Sequence, residues 1–380
     1  MKHGLGAGLG AGEPPCPGKR VWVVDYGGRS GMKIDVGAES PPERLALRLG
    51  LVPTPMFHTL VPAVAARALL VATKLGVFET LGQNPLTAAE VAAKLGTEGG
   101  ATEKLLNALT GLGYLRAARD GFVLSSGARR WLVSGSPRSV RDWVLEQELL
   151  EWRWLEHLED FVRTGHAVQA HDALSDDTWG AYQRGMRSLA GLSAAEVARR
   201  VPVPEGARQM LDIGGSHGYY SVVICRRHPG LRSVVLDLPQ AICHAAPLLA
   251  QEQMGDRVVH RAGDATTDDF GTAAFDLVLI AHAVHHFDVP ANRDLARRAG
   301  RALRAGGYFV ILDIVRPRSP KDAGQAGTLM DLFFALTSAS GTWPGEQLAQ
   351  WQRDAGLEPR KPIRMRTMPD AVIQAAVKPR

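Results

Sequence analysis

Between about residues 52 and 200, apolar positions recur at helical spacing. From 205 onward they fall instead into short runs separated by helical stretches. Residues 60–81 carry a helical pattern with Gly76 inside it, which predicts one helix or a pair broken at that glycine. Thr87-Ala88-Ala89-Glu90 is a capping box that opens a helix ending at Gly96. Residues 102–115 predict a third helix, with Leu105, Leu106, Leu109 and Leu112 on one stripe. Residues 115–124 read as a hairpin turning at Asp120-Gly121. Three helices followed by a hairpin is the order of a winged helix. More helices are expected over 141–164, 179–189 and 193–200. Strand-like runs then follow at 209–213, 233–236, 258–260, 275–280 and 308–312, with 362–365 and 371–377 closing the chain. Helical stretches lie between them, which is the βαβ rhythm of a doubly wound parallel sheet. The expected fold class is therefore α/β, with a Rossmann-like domain over 201–380 preceded by a mostly helical region over 41–200.

Residues 1–40 stand apart. They hold ten of the 41 glycines, too little apolar surface to offset ordering entropy, so a flexible tail is expected, with Met32 a candidate natural start. The remainder is globular in composition, at 45% apolar and 22% charged, which excludes disorder across the whole chain. The net charge of +5 is modest and would favour nucleic acid only if clustered. Cys16, Cys225 and Cys243 are widely spaced and make no CxxC pair or disulfide framework, which reads as a reduced, cytoplasmic protein. No apolar run reaches membrane-spanning length: the longest, residues 51–66, holds three prolines and stops at Arg67. The Gly-rich N-terminus lacks the apolar core of a secretory signal.

The chemistry concentrates after the first strand of the sheet. Met210-Leu211-Asp212-Ile213-Gly214-Gly215-Ser216-His217-Gly218 is a strand running into a glycine turn, with a helix starting near Tyr219. Glycines there let backbone approach a ligand at the carboxyl end of the strand. A nicotinamide-type dinucleotide fingerprint needs a second glycine where Ser216 stands. A serine-hydrolase elbow is satisfied as a string, but it needs several preceding strands and a triad histidine far downstream. The upstream chain is helical and the final histidine is His286. A third reading uses three acids in order. Asp212 precedes the glycines. Asp237, followed by Leu238, ends strand two, where a carboxylate accepts hydrogen bonds from both hydroxyls of a ribose. Gly263-Asp264-Ala265 follows strand three, where a carboxylate accepts from an adenine amino group.

With these residues the chain resembles class I S-adenosylmethionine-dependent methyltransferases of the caffeate/hydroxyindole O-methyltransferase-like family, which includes bacterial natural-product tailoring enzymes. The resemblance covers about residues 52–378. It implies a helical winged-helix region that makes a homodimer, a catalytic Rossmann-like domain, S-adenosyl-L-methionine as cofactor and a small-molecule acceptor. The family's glycine motif falls on Asp212 to Gly218, so Asp212, Gly214, Gly215 and Gly218 are expected cofactor contacts. Its ribose acid falls on Asp237 beside Leu238, and its adenine-side acid on Asp264 between Gly263 and Ala265. A third consecutive glycine is usual where Ser216 stands.

After strand four comes Ala281-His282-Ala283-Val284-His285-His286-Phe287-Asp288. The family's general base carries to His285, and an orienting carboxylate to Asp313, which ends strand five. A sulfonium methyl is already activated, so positioning dominates, and a hydroxyl acceptor also needs a base near neutral pH, which suits histidine. The family's second carboxylate has no equivalent in Ser340-Gly341-Thr342-Trp343-Pro344, which leaves C- or N-methylation open beside O-methylation. A metal held by His282 and His286 at i, i+4 is the competing reading of the histidines, but no cysteine pattern supports it, so no metal is expected. Trp179, Tyr182 and Met186 share one helix face. They fit core packing, or cover of cofactor and acceptor as in the family. His282 and Asp331 are further candidate acceptor contacts. Arg293, Arg297, Arg301 and Arg304 read as a solvated helix face. A winged-helix DNA-binding regulator is the rival from another class. Its recognition helix would offer only Lys104 and Asn107, and its wing Arg116 and Arg119, so no nucleic-acid partner is expected. A relative that keeps the cofactor without transferring a methyl group has the same sequence signature.

Overall fold

The computed structural model of the chain describes residues 35–82, 84–149, 151–168, 174–316, 319–338, 340–368 and 370–380. The Gly-rich tail and Met32 lie, as far as residue 34, outside the described residues.

Helices Pro41–Arg48, Thr54–Leu75, Val77–Leu81, Ala88–Leu95 and Gly99–Gly111 lead into a hairpin of β1 (Leu115–Ala118) and β2 (Gly121–Leu124). Gly76, at φ 80°, ends one helix and opens the next. Thr87 and Glu90 form the expected capping box, the Glu90 carboxylate accepting from the Thr87 amide at 2.8 Å. Helix Gly99–Gly111 starts and ends earlier than the leucine pattern over 102–115 predicts. The Glu98 carboxylate accepts from the amides of Gly100 and Ala101, and Gly113, at φ 80°, turns the chain into β1. Phe78, Leu81, Leu106, Leu109, Leu115 and Leu124 fill a core of their own.

Two helix expectations need correction. Residues 141–164 form three short helices, Arg141–Leu149, Glu151–Leu155 and Leu158–Thr164. The last break is a turn in which the amides of Glu156 and His157 donate to Arg153 and Trp154. Conversely, 179–189 and 193–200 belong to one helix, Asp176–Arg200. Gly191 costs such a helix about 1 kcal/mol, and burial of Ala190, Ala194 and Val197 against the sheet outweighs it.

Helix Thr54–Leu75 is apolar yet mostly exposed, with Met56, Leu60, Val61 and Val64 facing outward. By length and composition alone it is long and apolar enough to span a membrane, which corrects the expectation that no segment reaches that length. The helix runs on through Pro62 and Arg67, where the apolar run stops in the sequence.

The second layer system is built on β3 (Gln209–Ile213), β4 (Arg232–Asp237), β5 (Val258–Ala262), β6 (Phe275–Ala281), β7 (Leu303–Arg316), β8 (Trp343–Pro344), β9 (Glu358–Pro359), β10 (Ile363–Arg364) and β11 (Ala371–Val377). The main order is β5-β4-β3-β6-β7-β11-β10, parallel throughout the first five and antiparallel at β11. One face is packed by helices Asp176–Arg200 and Tyr219–Arg227 through Val197, Val222, Ile224, Met210 and Leu277. The other is packed by Val289–Ala302 and Gly345–Asp354 through Leu295, Ala299, Leu348, Trp351 and Phe309. β7 begins at Leu303, so Arg304 belongs to a strand and not to the helical arginine stripe. Strand order reverses between β4-β3 and β6, which opens a crevice at the carboxyl end of β3.

Candidate active site

The turn after β3 lies in that crevice. Gly214, Ser216 and Gly218 all take positive φ, at 63°, 53° and 71°. A Cβ on Gly215 would stand 2.6 Å from Asp212 Cγ and 2.7 Å from Val235 Cγ1, so only glycine lets the turn lie on that carboxylate. Asp212 is buried. Its Oδ2 accepts from the Ser221 hydroxyl at 2.6 Å, while its Oδ1 is buried with no partner among the described residues. Burial pushes the Asp212 carboxyl up to about 7 against the Ser221 bond, and the Asp237 charge adds to the rise. His217 is also buried and accepts from the Tyr219 amide at 3.1 Å. Burial, then the Arg187 charge, push its imidazole down to about 3, opposed by a hydrogen bond to the Met186 carbonyl.

Asp237, at the end of β4, accepts from the Ser216 amide at 2.6 Å and the Leu238 amide at 2.8 Å. Burial raises its pKa in spite of both bonds. The Gly263 amide donates to the Asp237 carbonyl at 2.9 Å, which brings the ends of β4 and β5 together. Asp264 Oδ1 accepts from both the amide and the hydroxyl of Thr266 at 2.7 Å. Arg298 closes the same loop, donating to the carbonyls of Ala265, Thr266 and Asp268. Asp212, Gly214, Gly215, Gly218, Asp237, Leu238, Gly263, Asp264 and Ala265 thus stand along the carboxyl ends of three adjacent parallel strands.

The histidines follow β6. His282 sits at φ 53° and its amide donates to the Leu312 carbonyl at 2.7 Å. Val284–His286 is one 3-10 turn, so His282 and His286 share no α-helical face, which removes the spacing behind the metal reading. Among the described residues no group of three His, Cys, Asp or Glu side chains is placed to hold a metal. His285 Nδ1 lies 2.9 and 3.1 Å from the two Asp313 oxygens, and both residues are buried, at 3% and 1% exposure. Asp313 also accepts from the Ile314 amide at 2.8 Å. Burial alone would raise the Asp313 pKa, but His285, the hydrogen bond it makes, His282 and Ile314 hold it below the usual carboxylate value. His282 Nδ1 stands 3.9 Å from the same carboxylate, and its buried Nε2 has no partner among the described residues. Burial lowers the His282 pKa, with Asp313 opposing.

The His285 ring is flanked by His286 at 4.1 Å and Phe334 at 4.3 Å. Phe334 meets Phe333, which packs with Tyr182, Leu174 and Val168 around Trp154, while Tyr182 meets Trp179 edge to face. An aromatic wall therefore runs from the buried histidine to the helix that carries Tyr182 and Met186. Asp331 is held by polar partners. Arg316 Nε and the Thr342 hydroxyl engage its carboxylate, so it ties its helix to the segment after it. Sequence reasoning missed Phe334, Asn292 and Trp343. The Val284 carbonyl accepts from Asn292 Nδ2 at 2.9 Å and Trp343 Nε1 at 3.0 Å, which clamps the turn bearing His285. Trp343 lies in the segment that lacks a second carboxylate, and only its place there hinted at a role.

Residues 155–347 match the O-methyltransferase domain family, and residues 57–134 the O-methyltransferase dimerisation domain family. N,N-dimethyltransferase OxyT of Streptomyces rimosus is 30% identical over 260 residues, spanning 66% of this chain and 75% of that protein. 3-Hydroxy-5-methyl-1-naphthoate 3-O-methyltransferase of Streptomyces sahachiroi is 27% identical over 312 residues, 78% of this chain and 87% of its own length. Human N-acetylserotonin methyltransferase, solved in complex with SAM, superposes with a TM-score of 0.74 at 18% identity, covering 91% of this chain and 100% of that one.

Proposed function

The chain belongs to the S-adenosylmethionine-dependent O-methyltransferase family, and from that premise we propose that it methylates a hydroxyl of a small aromatic or polyketide-like acceptor, with His285 as general base. The residues present suit the cofactor. Asp212 offers a buried, unpartnered carboxylate oxygen, which an ammonium-bearing ligand satisfies. Gly215 lets the turn lie directly on Asp212 and Val235, and Asp237 holds a carboxylate at the end of β4 for ribose hydroxyls. Asp264 and its Arg298-braced loop stand on the adenine side.

S-adenosylmethionine supplies a methyl group already activated on a sulfonium sulfur. The protein therefore has two tasks, to align the acceptor oxygen and to remove its proton. The observation that carries the second is the buried His285–Asp313 pair. Asp313 accepts a hydrogen bond from Nδ1–H, which leaves Nε2 as the basic nitrogen, and the carboxylate stabilises the imidazolium once that nitrogen is protonated. The wall of Phe334, Phe333, Tyr182 and Trp179 gives a flat acceptor a surface beside that ring and excludes water. The exposed apolar face of Thr54–Leu75, which falls from residue 57 onward in the matched dimerisation region, supports a homodimer.

The test is an acceptor screen with methyl-labelled cofactor against phenols, naphthols and the corresponding amines. Label should pass to hydroxyls in the wild type, and His285→Ala should lose about 10²–10⁴ in turnover while its affinity for S-adenosylhomocysteine is kept. The 30% identity to an N,N-dimethyltransferase supports an amine acceptor as the second reading. Transfer to amines alone, with little loss in His285→Ala, would replace the first reading by the second.

A further inference from the structure

Ser216 stands at φ 53°, in the left-handed region that glycine tolerates and serine adopts at a cost. Gly214, Gly215 and Gly218 surround it, so the turn uses glycine freely elsewhere. A serine kept at such a backbone position calls for a job that its side chain does.

Its bonds join the two halves of the site. The Ser216 amide donates to Asp237 at 2.6 Å, and its carbonyl lies 2.9 Å from His260 Nε2. Its hydroxyl turns the other way and donates to Gln183 Oε1 at 2.5 Å. Gln183 is buried, at 1% exposure, on the helix that carries Tyr182 and Met186. Three further ties run between that helix and the residues that follow Ser216. The Met186 carbonyl accepts from His217, the Arg187 guanidinium lies 3.3 Å from the Tyr219 ring centre, and Ser193 Oγ stands 2.8 Å from the Tyr220 hydroxyl. The first ties the helix to the far side of the turn, and the other two tie it to the helix behind the turn. Ser216 connects it to the carboxylate assigned to the ribose.

We propose that Ser216 and Gln183 are positioning residues that latch the acceptor-side helix to the glycine turn, so that filling the cofactor site orders the wall against which the acceptor packs. The latch rests on the cofactor reading given above. A ligand that rigidifies the turn through Asp237 restrains the Ser216 backbone, and the hydroxyl passes that restraint to Gln183.

Hydrogen exchange with S-adenosylhomocysteine as the probe tests this. Binding should slow exchange across residues 176–187 in the wild type. Ser216→Gly relieves the backbone cost and removes the hydroxyl. Gln183→Leu keeps the volume and removes the acceptor. Both should still bind S-adenosylhomocysteine, and both should lose the ligand-induced slowing by about three- to tenfold, the ratio one hydrogen bond gives. The double variant should lose no more than either single one. Retention of wild-type slowing in a variant that binds, additive losses in the double variant, or wild-type binding without any slowing would each overturn the latch. Absence of calorimetric binding to the wild type is a different result, which removes the cofactor reading and the latch with it. A fall in melting temperature alone would accompany a merely structural bond and leave the ligand-dependent slowing intact.

Discussion

Replacing His217 by Gln should reverse part of the acid response of folding stability, and replacing Asp212 by Asn should exaggerate it. The two side chains are buried a few residues apart with opposite preferences. The His217 imidazole is pushed down to about 3 from an ordinary 6.5, first by burial and then by Arg187. It stays neutral in the fold while the unfolded chain takes up a proton below 6.5, so its contribution is complete above that pH and is lost as pH falls toward 3. The Asp212 carboxyl is pushed up to about 7 from 3.8, chiefly by burial. Its contribution is complete below 3.8 and is lost as pH rises through 7. At 1.36 kcal/mol per unit, each shift spans about 4–5 kcal/mol, and between about pH 4 and 6.5 the two largely cancel. A glutamine in place of the histidine keeps the means for both hydrogen bonds without titrating. Relative to wild type, His217→Gln should therefore gain stability as pH is lowered from about 7 to 4, whereas Asp212→Asn should lose it. Urea titrations at half-unit pH steps, without cofactor, would measure both, and subtraction of the wild-type curve removes the groups they share. Difference curves flat to within about 0.5 kcal/mol over that range would refute the reasoning for either residue.

Asp237→Ala should weaken S-adenosylhomocysteine binding by about 2–3 kcal/mol in calorimetry, as expected for charge-assisted bonds to two hydroxyls; unchanged affinity would displace the ribose from that strand end. Asp313→Asn should lower turnover by about 10–100-fold, less than His285→Ala, because the amide keeps a hydrogen-bond partner for Nδ1 but not the charge that stabilises the imidazolium. Equal losses in the two variants would show that the carboxylate does more than orient and stabilise the ring. Leu60→Lys on the exposed face of Thr54–Leu75 should convert a dimer to a monomer in light scattering, and an unaltered dimer would move the interface elsewhere.

Elements specified by local chemistry were legible in the chain. The Thr87–Glu90 box, the αL residue Gly76 and the run Met210 to Gly218 each act within a few residues, and each lies where the pattern puts it. Helix limits that depend on distant packing were not. Gly191 reads as a break, yet burial of the helix on the sheet carries it through, and the pattern over 141–164 gives no sign of the turn at His157. The same division holds for the site. Asp212, Asp237 and Asp264 follow from their places after successive strands, and the pairing of His285 with Asp313 follows from neighbouring strand ends. The contacts of Gln183, Asn292 and Trp343 join segments well separated in the chain, and Asp331 turns to Arg316 for the same reason. No spacing rule encodes such meetings.

The order in which the sheet can close has a consequence during synthesis. β7 is paired on one side by β6 and on the other by β11, whose residues 371–377 register against 308–314. Lys378 then fastens the strand, its ammonium meeting the carbonyls of Gly300 and Leu303. Until the ribosome has released Ala371–Val377, one flank of β7 presents unpaired amides and carbonyls beside the apolar side chains of Phe309, Val310 and Ile311. A nascent or prematurely terminated chain that ends before Ala371 would hold most of the cofactor cleft and still expose an adhesive edge. Such fragments should collect in inclusion bodies rather than as folded partial enzymes, and chaperone demand should persist until Ala371–Val377 has paired with β7.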